Sequence, residues 1–184
     1  MIFNEDTYEQ AIIELFQNMG YSHIYGPNLE RDYTSPILES TLLDCLVQIN
    51  KNLPIEAIHE AIAKLKNLES GSLIQKNAAF MGYLQDGVEV KYFHKGEERS
   101  SVVKLIDFNT IKNNTFEVVN QFTFLEGGNN RRPDIILFIN GLPLVLMELK
   151  SPCKDELGAE NADKQILKYM NDIPTLVIYN AICV

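Results

Sequence analysis

The residues best placed to do chemistry lie between 131 and 150, in the stretch RRPDIILFINGLPLVLMELK. Burying an ionised carboxylate in an apolar strand is costly unless it has a partner, so apolar strands usually exclude charge. Here one apolar run begins with Asp134 and the next ends in Glu148, Leu149 and Lys150. Side chains alternate along a strand, which sets Glu148 and Lys150 on one face and Leu149 on the other. Two carboxylates and an amine at the end of one hairpin call for a shared partner. A hard divalent cation suits the acids, because Mg²⁺ takes one or two carboxylates and keeps several waters. Such a cation polarises a phosphodiester, lowers the pKa of a bound water and stabilises the leaving oxygen. Asp134 and Glu148 are the expected metal ligands. Lys150 would orient or deprotonate the attacking water, or stabilise the developing charge, and its type and position leave those roles open. The plainer alternative is a structural salt bridge at a sheet edge, and spacing alone does not decide between the two.

The register of this hairpin carries a testable expectation. A strict two-residue turn at Asn140-Gly141 would set Asp134 opposite Met147, on the wrong face for a shared cation. A three-residue connection with a glycine bulge would set Asp134 opposite Glu148, so the bulged form is expected. Further along, Gln165 and Tyr169 are four residues apart on an expected helix and share a face, from which both could reach a phosphate or a catalytic group. Arg131 and Arg132 precede Asp134 and could meet DNA phosphates, or be solvated loop charges.

The elements that must position these groups change period along the chain. Residues 1–87 read as mainly helical. Tyr8, Ile12, Leu15, Phe16 and Met19 recur at helical spacing before Gly20, and Pro36 behind Ser35 suits a helix start running through Leu42, Leu46 and Ile49. Pro54 opens another helix with Ile55, Ile58, Ile62 and Leu65 on one side, and a shorter one is expected around Leu73 to Leu84. Residues 88–184 form the sheet-containing part: strands at 88–92, 102–108, 116–125, 134–139 and 144–150, a helix at about 157–171, and a last strand at 175–179. The fold class is therefore α/β, with a mixed, mostly antiparallel sheet flanked by helices in a single domain, 1–184.

Bulk properties bound the function. The 184 residues are 46% hydrophobic and 22% charged, ordinary for a globular chain, with no membrane-length apolar run. Cys45, Cys153 and Cys183 form no CxxC pair and suit a reducing compartment, with the cytoplasm the simplest location. The net charge of −9 argues against a protein that holds DNA unaided, since phosphate neutralisation supplies most DNA affinity. It leaves room for a catalytic module delivered to DNA by other parts. The apolar ending TLVIYNAICV suggests a piece of a longer chain.

Pro133-Asp134 followed by Glu148-Leu149-Lys150 matches the PD-(D/E)xK nuclease pattern. The longer text, RPDIILFINGLPLVLMELK, then QILKY, then IPTLVIYN, with TYEQAIIELFQNMGY and LIDFNTIKNNTFEVVNQF upstream, resembles the N-terminal nuclease region of type I restriction enzyme R subunits. The resemblance covers essentially the whole chain. It implies a restriction-endonuclease-like core with Asp134, Glu148 and Lys150 as metal and catalytic residues, and Gln165 and Tyr169 as a QxxxY pair needed for cleavage. A first-helix glutamate, matching Glu9, is implied as an accessory near the metal. It further implies Mg²⁺ as cofactor, double-stranded DNA as substrate, and specificity and methyltransferase subunits as partners. An ATP-driven motor in the same parent chain completes the picture. No GxxxxGK[ST] phosphate loop occurs here, so ATP would bind only outside these residues. The rival readings are a free-standing PD-(D/E)xK repair or resolvase nuclease, which should be basic, and a non-catalytic docking module of the same fold.

Overall fold

The computed structural model describes residues 5–149 and 158–184, with side chains from 6 and from 163 onward in those two spans. The elements are α1 (Glu5–Asn18), β1 (Ser22–Tyr25), α2 (Glu39–Ile49), α3 (Ile55–Lys66), α4 (Leu73–Asp86), β2 (Val88–His94) and β3 (Glu97–Val103). They continue with β4 (Phe116–Asn120), β5 (Phe124–Glu126), β6 (Asn129–Arg131), β7 (Ile135–Ile139), β8 (Leu142–Met147), α5 (Gly158–Asp172), α6 (Pro174–Ile178) and β9 (Ile182–Cys183). The fold is mixed α/β, as expected. Its main sheet has the order β1-β4-β7-β8-β9. β1 is parallel to β4 and β9 is parallel to β8, while β2–β3 and β5–β6 pair antiparallel, so the strand pairing is mixed, as expected. No helix among the described residues is long and apolar enough to cross a membrane.

The chain divides into two compact units, which do not follow the division at residue 87 drawn from periodicity. The first comprises Met1–Pro36, Phe116–Phe138 and Pro143–Val184 and holds the main sheet. Gly20, at φ +97, ends the first turn of chain after α1 in a conformation that glycine accepts without steric cost. The inner face of α1 is Ile13, with Ile12 and Phe16 beside it, and it packs on Val118, Ile135, Leu137 and Leu149. Tyr8, Leu15 and Met19, expected on that face, are exposed instead.

The second unit comprises Ile37–Thr115 and the hairpin tip Ile139–Leu142. Ala57, Ile58, Ala61 and Leu65 form the buried face of α3, which lies against β2. The small alanines let the helix approach closely, and Ile55 is left exposed. Val88, Val90 and Tyr92 alternate inward along β2 against Ser101 and Val103 of β3. Ser72 caps α4 in a reciprocal box with Gln75, and the helix runs to Asp86, longer than expected. The Pro36 start is corrected: α2 begins at Glu39, because the Leu38 N–H is bonded to the Gly141 carbonyl at 2.9 Å and residues 36–38 do not join the helix.

Three further expectations are corrected. Ser22–Tyr25, inside the part read as helical, is a strand, too short and polar to stand out by period. The single strand at 116–125 is broken at Gln121, whose φ of +57 is left-handed. The last strand at 175–179 is a short helix. Its β-branched run favours strand, but Pro174 sits in the first turn and the Glu126 carboxylate accepts the Thr175 N–H at 3.0 Å.

Candidate active site

The hairpin of β7 and β8 turns through Asn140 and Gly141, at φ +53 and +77. Two consecutive left-handed residues make a tight type I′ turn, which Asn-Gly favours, so the expected three-residue connection is not formed. Asn140 is fully buried and saturated. Its Oδ1 accepts the Thr115 N–H at 2.8 Å, and its Nδ2 donates to the Leu105 carbonyl at 2.8 Å and to Asn114 Oδ1 at 2.9 Å.

A tight turn alone sets odd-numbered residues of β7 against even-numbered ones of β8. The packing differs. Ile135 and Leu137 share one cluster with Val145, Met147 and Leu149 on the α1 side of the sheet. One residue of offset is therefore taken up along the strands and not in the loop. By alternation Asp134 and Glu148 fall together on the other face. The consequence expected of a bulged loop is reached by another route.

These acids stand at one end of the sheet. Gln121 N–H donates to the Asp134 carbonyl at 3.0 Å and Asn140 N–H to the Thr115 carbonyl at 2.9 Å, so β4 and β7 run antiparallel and Asp134 lies beside the carboxyl end of β4. Asp134 Oδ2 accepts the main-chain N–H of Leu149 at 2.7 Å, tying it to the end of β8. Glu148 Oε2 accepts the hydroxyl of Tyr169 at 2.8 Å. Both acids are half-buried. Tyr169, on α5, is only 2% exposed and also bonds Gln165, so the pair read as sharing a face does so. Burial, the largest cause, pushes the Tyr169 hydroxyl above its ordinary range; the Gln165 hydrogen bond opposes it, and the carboxylates of Glu148 and then Asp134 add to the rise. Tyr169 is thus a neutral donor, and both acids bear on it.

The remaining expected residues are dispersed. Arg131 donates through Nε to Asp172 Oδ2 at 2.7 Å, joining β6 to the end of α5, and its partner in the structure is that carboxylate and not solvent. Arg132 is exposed. Glu9 accepts Asn120 Nδ2 at 2.7 Å and Gln121 Nε2 at 2.8 Å. Lys150 lies outside the described residues. Asn120 and Gln121 were not singled out from the sequence; two adjacent amides closing an apolar run were the only available signal. Arg31, equally unremarked, stacks on Phe122 at 3.6 Å and donates to the Thr123 carbonyl, which holds the turn after Gln121.

Residues 2–184 match the family described as type I restriction enzyme R protein N terminus. The chain belongs to that family. As an R-protein N-terminal domain it is 32% identical over 97% of its length to the type I restriction enzyme HindI endonuclease subunit of Haemophilus influenzae. It is 35% identical over 98% of its length to the putative MjaIXP endonuclease subunit of Methanocaldococcus jannaschii. It spans 18% of the length of each. In this R-protein domain the site just described falls within the matched residues, and the restriction-endonuclease-like reading of its α/β fold agrees with that kinship.

Proposed function

We propose that this domain is a Mg²⁺-dependent endonuclease that hydrolyses DNA phosphodiester bonds. The observation that carries the reading is the convergence of Asp134 and Glu148 on one sheet face, each oriented by a donor and both bearing on Tyr169. The donor set suits Mg²⁺. Both groups are carboxylates, the oxygen donors that a hard divalent cation takes. Asp134 and Glu148 would hold the ion. Bound there, it would supply Lewis-acid polarisation of the phosphate and an acidified water.

The chain's own groups do the positioning. The Leu149 N–H turns the Asp134 carboxylate, and the Tyr169 hydroxyl turns that of Glu148 while giving up no proton at neutral pH. Lys150 orients or deprotonates the water, or steadies charge on the phosphate. With a net charge of −9, DNA affinity comes from elsewhere in the complex. In the longer protein, ATP-driven translocation delivers double-stranded DNA, cleavage is without sequence preference and remote from the recognition site, and separate specificity and methyltransferase subunits recognise it.

The test is nicking of supercoiled plasmid in Mg²⁺, with EDTA as control, alongside Mn²⁺ binding followed by electron paramagnetic resonance. Wild type should bind the ion, and Asp134→Ala, Glu148→Ala and Lys150→Ala should abolish nicking, the first two with loss of Mn²⁺. A wild-type chain that binds no Mn²⁺ and nicks no better than Asp134→Ala would refute the reading.

A further inference from the structure

Consecutive residues of a strand point to opposite faces, so two neighbours cannot both reach one side chain while the strand stays extended. Asn120 and Gln121 nevertheless both bond the Glu9 carboxylate, one on each oxygen. The backbone makes this possible. β4 ends at Asn120, and Gln121 turns into the left-handed region at φ +57, uncommon for a residue with a side chain. That conformation swings its amide onto Glu9 and leaves its main-chain N–H donating to the Asp134 carbonyl at 3.0 Å. One residue therefore holds Glu9 by its side chain and Asp134 by its main chain.

The surroundings fix this residue. A Cβ on Gly26 would lie 2.7 Å from the carbonyl oxygens of both Asn120 and Gln121, so the chain after β1 passes at a distance only glycine permits. His23 Nε2 lies 2.9 Å from Asn120 Oδ1, which leaves Nδ2 as the atom aimed at Glu9.

We infer that Gln121 is a positioning residue of the nuclease site, bracing the main chain at Asp134 against the Glu9 carboxylate of α1 so that the acid proposed to hold the cation is fixed in place. This rests on the nuclease reading. The competing role is structural: the amide pair simply anchors α1 to the sheet.

Gln121→Gly separates the two. Glycine adopts the left-handed backbone freely and keeps the N–H to Asp134, removing only the amide. In the full chain, Mn²⁺ affinity read by paramagnetic resonance should fall about tenfold or more, the range for removing a group that orients a metal ligand. Relief of the left-handed backbone offsets the lost hydrogen bond, so the urea midpoint should stay close to that of wild type. Gln121→Glu, of equal length, sets an acceptor against Glu9 and should bind Mn²⁺ no better than Gln121→Gly. Unchanged Mn²⁺ affinity in Gln121→Gly overturns the proposal, as does a loss matched by a lowered midpoint. If Asp134→Ala abolishes Mn²⁺ binding while Gln121→Gly leaves it intact, only the role of Gln121 falls. If wild type binds no Mn²⁺, the nuclease reading falls and takes this one with it.

Discussion

Replacing Tyr169 with Phe removes one oxygen from a site where the ring itself is 2% exposed, so the packing is conserved and the hydroxyl alone is tested. That hydroxyl donates to Glu148 at 2.8 Å and is bonded to Gln165. A hydrogen bond to a charged acceptor contributes ~1.5–3 kcal/mol, and half-exposed Glu148 can recruit water in compensation, so the lower part of that range applies. At 1.36 kcal/mol per factor of ten, a loss of ~1.5–2 kcal/mol is a fall of about 10- to 30-fold in metal affinity. The range for groups that orient metal ligands brackets this figure. Calorimetric titration of Mn²⁺ into Tyr169→Phe reads it directly, and plasmid nicking at subsaturating Mg²⁺ should fall in parallel and recover as Mg²⁺ is raised. If Tyr169→Phe titrates like wild type, the hydroxyl does not orient Glu148. Failure of saturating Mg²⁺ to restore nicking would mean that Tyr169 acts on something other than metal binding.

Three further outcomes concern stability. Asn140→Ala strands the Leu105 carbonyl in the interior, removes the acceptor of the Thr115 N–H and puts alanine in a left-handed turn, so the unfolding free energy from urea titration should fall by about 3 kcal/mol; a shift under about 1 kcal/mol would contradict the network. Burial raises the Glu117 carboxyl above its usual range, and its Oε2 has no hydrogen-bond partner. Its ionised form therefore burdens the fold once pH exceeds the folded pKa, and Glu117→Gln should stabilise at pH 7 with a gain that shrinks towards pH 4; a gain equal at both pH values would exclude the charge as its cause. Tyr179 is pushed by burial to about 12. Because the folded value lies above the unfolded one near ~10, its contribution is intact below pH ~10 and is lost between there and about 12. Denaturant midpoints in that window should fall less steeply for Tyr179→Phe.

The β7–β8 hairpin is the most legible part of the chain, for physical reasons. Acids at the ends of apolar runs have few benign explanations, and alternation decides which of them can meet. The turn illustrates the limit: Asn140-Gly141 announced itself, but the offset that brings Asp134 and Glu148 to one face lies along the strands, where nothing local marks it. Helix faces were read by hydrophobic count, whereas α3 buries Ala57 and Ala61 and leaves Ile55 out, because close approach to β2 favours small residues. Pro174 and the distant Glu126 carboxylate turned a β-branched run into α6. Gln121 was hidden altogether, since a left-handed glutamine is decided by Gly26, Glu9 and Asp134, all far away in sequence.

The bond from Asp134 Oδ2 to the Leu149 amide matters for how a dead version of this domain should be made. Alanine at 134 deletes the closure between β7 and the end of β8 along with the acid, so structural damage mixes with chemical loss. Asparagine keeps an acceptor of the same reach there while discarding the negative charge. It is the cleaner substitution for testing the proposed metal site, because the closure between the two strands survives it.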